Sequence, residues 1–129
     1  MELNNMKSII VSVITAAGLM AAGSVLATDM PDLAKKSGCT ACHAIDKKIV
    51  GPAWMDVSKK YQGAKEYAYS PKGSDDAGAK KMSLEEGLIM KVSKGGTGNW
   101  GKVPMTANSP RVSDADIKTL VQFVLHLAK

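Results

Sequence analysis

The feature that most restricts the fold of this chain is Cys39-Thr40-Ala41-Cys42-His43, which holds its only two cysteines. Two thiols three positions apart, followed directly by a histidine, have the spacing used to attach a haem covalently. Both thiols can form thioethers along one edge of the porphyrin, and His43 then lies beneath the ring with an imidazole nitrogen directed at the iron. The motif predicts one haem c, bound by Cys39 and Cys42 and ligated by His43.

Three other uses of the cysteines stay open at this level. In an oxidising compartment Cys39 and Cys42 can form a disulfide. A C-x-x-C pair also serves thioredoxin-type redox proteins, although that fold needs a sheet that the sequence does not indicate. Zinc is the third possibility, with Cys39, Cys42, His43 and His126 as ligands. His126 stands alone in a predicted helix, which is more typical of a surface or satisfied core histidine.

The first 27 residues have the order of a secretory signal peptide. Lys7 precedes an apolar run at 9–22, and the sequence Ser-Val-Leu-Ala at 24–27 suits cleavage after residue 27. A retained membrane anchor is the alternative, because residues 8–28 carry no charge and are just long enough to span a bilayer. Since polar sequence follows directly, we expect cleavage. The product would be a periplasmic protein of residues 28–129 with no stable membrane insertion.

Composition supports a single globular domain. The 129 residues are 45% hydrophobic and carry 17 Lys+Arg against 12 Asp+Glu, for a net charge of +5. That apolar content excludes an intrinsically disordered chain, and two cysteines exclude a disulfide-dense mini-protein. Much of the positive charge lies in lysine pairs at 35–36, 47–48, 59–60 and 80–81. These pairs are either solvated helix faces or a basic rim that attracts acidic redox partners; nucleic acid is not expected in this compartment.

Helix caps and apolar periodicity predict an all-α chain of about four helices. Starts are expected near Pro31, Pro52, Ser83 and Ser113, where Ser83 opens a capping box with Glu86. The polar stretch 64–82 is predicted to be a loop. No run of residues alternates between apolar and polar side chains for long enough to predict a sheet.

The iron of an attached haem needs a second axial ligand, for which the chain offers six candidates: Met30, Met55, Met82, Met90, Met105 and His126. Met30 is too close in sequence to the attachment motif to cross the haem ring easily. Met55 and Met90 lie in predicted helices, where methionine usually packs in the core. Met105 follows Pro104 in an irregular loop, which suits a thioether directed from a stiffened segment. We expect Met105 to be the ligand.

The combined motifs resemble a small class I bacterial cytochrome c of the cytochrome c-551/c-552 type. The similarity lies in Gly38 to Asp46 around the cysteines, in Val50-Gly51-Pro52-Ala53, and in Trp100-Gly101 with Val103-Pro104-Met105 and Asn108, and it covers nearly all of residues 30–129. It implies the class I cytochrome c fold, with about four helices wrapped around one covalently bound haem.

The resemblance also implies roles for single residues. His43 would be the proximal and Met105 the distal axial ligand. Pro52 would contact the His43 side and hold the carbonyl partner of His43 in place. Asn108 would hydrogen-bond near the Met105 sulfur, and Trp100 would donate to a haem propionate.

Three features depart from the family pattern. Lys91 occupies the place of an arginine that pairs with a propionate, so a bidentate pair is lost. Thr106 and Ala107 follow the ligand where prolines are common, which predicts a looser distal loop. The 64–82 segment is also longer than the pattern allows.

The resemblance implies a soluble one-electron carrier, not an enzyme, because His/Met ligation leaves no open iron position. Such a monomer would pass electrons from a quinol-oxidising complex to a terminal reductase or oxidase, with nitrite reductase or cytochrome oxidase as acceptor and acidic docking surfaces on the partners. The alternative is a haem enzyme or ligand sensor in which Met105 is displaceable.

Overall fold

Four α-helices and one short hairpin make up the described part of the chain, residues 28–129 of a computed structural model. The predicted signal peptide at 1–27 lies outside the described residues. The elements, in chain order, are helix α1 (Asp32–Lys36), a single 3-10 turn (Cys39–Ala41), helix α2 (Trp54–Lys60), strands β1 (Glu66–Tyr69) and β2 (Lys80–Ser83), helix α3 (Leu84–Lys94) and helix α4 (Asp114–His126). The helical architecture confirms the predicted fold class. Within the described range, no helix is both long and apolar enough to cross a membrane.

The two longest helices begin at the predicted caps. Ser83 Oγ accepts a hydrogen bond from the backbone N–H of Glu86, which caps α3, and the same hydroxyl donates to the Glu86 carboxylate. Ser113 Oγ accepts from the N–H of Asp116 at the start of α4. Helix α3 ends at Gly95, whose φ of +75° a residue with a side chain rarely adopts.

The predicted absence of any sheet is wrong for residues 66–83. Strands β1 and β2 pair antiparallel there, with Tyr67 opposite Met82, inside the stretch expected to be a loop. Each strand has only four residues, which is too few for an alternation of apolar and polar residues to be visible in the sequence. The pairing is stabilised by burial instead, because Tyr67 is 4% exposed and packs so closely on Gly87 of α3 that a Cβ there would collide with it.

Helix α4 contributes to two separate apolar clusters. The first cluster comprises Ala34, Ile45, Trp54, Leu120 and Val124. The second comprises Tyr67, Leu88, Val112, Ile117 and Val121. Residues of both clusters line one cavity, so the protein's apolar interior is divided by a space that its own side chains do not fill.

Candidate functional site

The turn after α1 brings three reactive side chains to the cavity. Gly38, with a φ of +78°, reverses the chain in the left-handed region and opens the 3-10 turn Cys39–Ala41. The backbone N–H of His43 donates to the carbonyl of Cys39 at 2.9 Å, which closes the turn. Both thiols are free, and Cys39, Cys42 and His43 all line the cavity. Local backbone structure alone therefore places the whole motif on one wall.

The imidazole of His43 is fixed by the segment that follows it. Its Nδ1 donates to the carbonyl oxygen of Pro52 at 2.8 Å, since a carbonyl can only accept. A Cβ at Gly51 would lie 2.6 Å from Cε1 of the ring, so Gly51 provides the space that the ring occupies. The bond at Nδ1 fixes the tautomer and leaves Nε2 with a free lone pair for a metal.

Met105 reaches the same cavity from a distant loop. Its backbone N–H and C=O each bond to Gly96 at 2.9 Å, which forms an isolated antiparallel bridge just after the end of α3. Of the six candidates for the second ligand, Met105 is the one that lines the cavity. Met30 packs on the first apolar cluster, Met82 lies in β2, and His126 is exposed with Nδ1 2.7 Å from the carbonyl of Gln122.

Asn108 holds the loop that carries Met105. Its side-chain amide donates to the carbonyls of Val92 and Thr106, at 3.1 and 3.2 Å. Both amide hydrogens are used in this way, so the contact fixes the loop backbone. Its Oδ1 accepts from Arg111 at 2.6 Å.

Arg111 links the Met105 loop to the cysteine turn. One guanidinium nitrogen donates to Asn108 and the other donates to the carbonyl of Ser37, at 2.8 Å, just before Cys39. Burial raises the pKa of the Cys39 thiol, and the positive charge of Arg111 opposes that rise. Sequence reasoning missed Arg111, although it is the only arginine among 17 basic residues.

Trp100 and Lys91 both line the cavity, which is where residues that pair with a haem propionate are expected to lie. Trp100 is 39% exposed and its ring lies 4.5 Å from Nζ of Lys60. Lys91 lies on α3, where burial lowers the pKa of its amine. Their pairing with haem propionates stays a prediction.

The cavity fits a covalently attached haem better than it fits zinc. It has a volume of about 280 Å³ and apolar walls from both clusters, including Val57, Leu88, Leu120 and Val121. Its lining includes two free thiols, an oriented imidazole and one thioether. Within residues 28–129 no three His, Cys, Asp or Glu side chains are grouped to hold a metal ion.

Comparison with known proteins gives a consistent result. The family model described as Cytochrome c matches residues 21–128. The chain is 46% identical to cytochrome c-551 of Allochromatium vinosum, over 74% of this chain and 82% of that protein. It is 37% identical to cytochrome c-552 of Nitrosomonas europaea, over 95% of this chain and 99% of that protein.

Among solved structures, the crystal structure of Nitrosomonas europaea cytochrome c552 matches with a TM-score of 0.56 at 38% identity, over 74% of this chain and 96% of that one. A class 1 cytochrome of Sideroxydans lithotrophicus matches with a TM-score of 0.54 at 28% identity, over 76% and 91%.

Proposed function

The chain belongs to the cytochrome c family, as a class I monohaem electron carrier with covalent haem c, and from this premise we propose its ligands, location and partners. Cys39 and Cys42 attach the haem, and His43 and Met105 are its axial ligands. One observation carries this assignment: both potential ligands line the same apolar cavity as the two free thiols, although Met105 is 62 positions beyond His43 in the chain.

When bound, the haem supplies an iron that alternates between the ferrous and ferric states. The residues around the haem favour this gain and loss of one electron, and no other reaction is needed at the site. Pro52 and Gly51 keep the His43 ring in one orientation, so little rearrangement accompanies the gain or loss of an electron. The Met105 thioether raises the reduction potential, and the apolar walls exclude water. With both axial positions taken, the site transfers electrons rather than binding a substrate.

The location we propose is the periplasm, after cleavage at the end of the segment 1–27. That segment has the order of an export signal, and the four proposed haem-binding residues all follow it in the chain. In this compartment a monomeric carrier would take electrons from a quinol-oxidising complex and pass them to a terminal reductase or oxidase. A nitrite reductase or a cytochrome oxidase is the proposed acceptor.

The surface at the cavity supports docking to acidic redox proteins. Val50, Trp100 and Val103 line the cavity and are 39–61% exposed, which gives an apolar rim. Lys48 also lines the cavity, and Lys60 lies over the ring of Trp100. In the described residues the lone ion pair is Lys35–Asp32, so most of the lysine charge is available to a partner.

The test is a spectrum of the exported protein, ferric and ferrous, followed by denaturing extraction. We expect haem to stay with the polypeptide and the ferric protein to show a sulfur-to-iron charge-transfer band in the near infrared. The matched control is the double variant Cys39→Ser/Cys42→Ser, which should lose haem on extraction. Attached haem without the band would contradict Met105 ligation and favour a sensor or enzyme with an open site.

A further inference from the structure

Residues 95–98 determine where the backbone of Met105 lies. Gly96 and Met105 exchange two backbone hydrogen bonds of 2.9 Å. Gly95 has a φ of +75°, and a Cβ there would collide with the carbonyl oxygen of Met105. Two segments that approach so closely cannot move independently. On the other side of the contact, Lys102, Val103 and Pro104, which precede Met105, are all exposed.

The hairpin contacts residues 95–98 from the other side. The hydroxyl of Tyr69 donates to the carbonyl of Gly95 at 3.0 Å. The backbone N–H of Thr97 donates to the carbonyl of Pro71 at 2.8 Å. A Cβ at Gly96 would lie 2.6 Å from that same Pro71 oxygen, so the two backbones are in direct contact. Residues 95–98 are thus enclosed between the hairpin and the Met105 loop.

The connection between the two strands is ordered by its own hydrogen bonds. Ser70 is 4% exposed, and its hydroxyl donates to the carboxylate of Asp76 at 2.7 Å. The same hydroxyl accepts from the N–H of Lys72, and the carboxylate accepts from the N–H of Gly78. A turn with this many internal bonds resists deformation. It can therefore transmit a restraint to whatever it contacts.

The base of the hairpin is attached to α3. The N–H of Leu84 donates to the carbonyl of Lys65 at 3.0 Å, and Tyr67 is buried against Gly87. The hairpin therefore has a fixed support at one end and contacts residues 95–98 at the other.

We propose that residues 66–83 brace the Met105 loop, and that Tyr69 is a positioning residue for the sixth ligand of the haem. The inference rests on the proposed ligation by Met105. Without the Tyr69 hydroxyl, Gly95 and Gly96 lose a restraint, and Met105 moves with them. The sixth position then opens more often, although no residue that touches the iron has changed.

The test compares two single variants of the haem-loaded protein. Tyr69→Phe removes the hydroxyl and keeps the ring. The control, Ser58→Ala, removes a buried hydroxyl that bonds to Leu125 and Ala128, and it lies outside both the hairpin and residues 95–98. The measurements are the rate of cyanide binding to the ferric protein and hydrogen exchange at the amides of Gly96 and Met105. For Tyr69→Phe we expect cyanide to bind about fivefold faster, the effect of one lost hydrogen bond on an opening equilibrium.

Amide exchange at Gly96 and Met105 should also rise in Tyr69→Phe, and both the exchange and the cyanide-binding rate should stay near wild type in Ser58→Ala. Unchanged exchange in Tyr69→Phe overturns the brace. Equal acceleration in Ser58→Ala also overturns it, because general loss of stability then explains the effect. A wild-type protein without the charge-transfer band contradicts Met105 ligation, whereas faster exchange in Tyr69→Phe would still support the brace.

Discussion

Gly51 lies directly against the imidazole of His43, and a Cβ added at position 51 would be 2.6 Å from Cε1 and 3.0 Å from Nδ1. The next residue, Pro52, accepts the hydrogen bond from that Nδ1 at 2.8 Å. The close contact with Gly51 and the hydrogen bond to Pro52 act on the same imidazole ring, so the orientation of the ring is set before any metal is bound. A ligand held in this way needs little rearrangement when the iron changes its charge.

Gly51→Ala should displace the His43 ring and weaken its bond to Pro52. We expect a loss of about 1–3 kcal/mol in the free energy of unfolding, since the added methyl overfills the site. The reduction potential should rise, because a weaker hydrogen bond from Nδ1 to the Pro52 carbonyl makes the imidazole a poorer electron donor. Denaturant unfolding and voltammetry measure the two effects. Gly78→Ala is the control, because its nearest contact is the Asp76 carboxylate and not His43. Equal losses in both variants would contradict the prediction.

Met105→Ala should open the iron while the haem stays attached. Loss of the thioether should lower the reduction potential, on the order of 100 mV or more, because axial ligands set much of the range of haem potentials. Carbon monoxide should bind the ferrous variant and leave the wild type largely unreacted. Met90→Ala, in α3, is the matched control. If potential and ligand binding are unchanged in Met105→Ala, another residue is the ligand.

The helices and the cysteine turn could be predicted because their causes are local. Ser83 caps α3 and Ser113 caps α4 within three residues, and the turn at Cys39 closes on itself. Met105 could be selected because a proline precedes it in a segment with no helical period.

The hairpin and its contacts could not be predicted, because they depend on residues distant in sequence. Tyr69 bonds to Gly95 and Pro71 bonds to Thr97, each 26 positions apart. The sequence shows glycines at 95 and 96 but not which backbone approaches them. The same limit applies to the bond from Asn108 to the carbonyl of Val92 and to the bond from Arg111 to the carbonyl of Ser37.

Tyr67 should make the protein less stable in alkaline solution. Burial raises the pKa of its phenol, with the nearby Tyr61 and Tyr69 adding to the effect. The folded pKa then exceeds the unfolded value of about 10, so its contribution is complete below that pH and is lost as pH rises. The free energy of unfolding should fall by up to about 1.4 kcal/mol per pH unit for this group. Denaturant titrations from about pH 8 to about pH 11 should show a shallower fall in Tyr67→Phe, and identical slopes would contradict this.

Lys91→Met should lower the reduction potential. The amine lines the cavity, where a positive charge favours the less positive, ferrous state. We expect a decrease on the order of 10–60 mV, measured by voltammetry near neutral pH. Because burial lowers the pKa of Lys91, the difference from wild type should disappear as pH rises through that lowered value. Lys94→Met, exposed on the same helix, is the control, and an equal decrease there would attribute the effect to net charge alone.

Charge reversal at the cavity should slow electron transfer to the physiological acceptor. Lys48 lines the cavity beside the exposed Val50, whereas Lys118 is exposed on α4 and does not line it. Both substitutions to glutamate change the net charge equally, so a difference between them reports position. We expect Lys48→Glu to lower the second-order rate constant by about tenfold at low salt and Lys118→Glu to lower it much less. Added salt should slow the wild type and reduce the difference, because screening weakens attraction between exposed charges. A rate constant that stays flat or rises with salt would instead assign docking to the apolar rim of Val50, Trp100 and Val103.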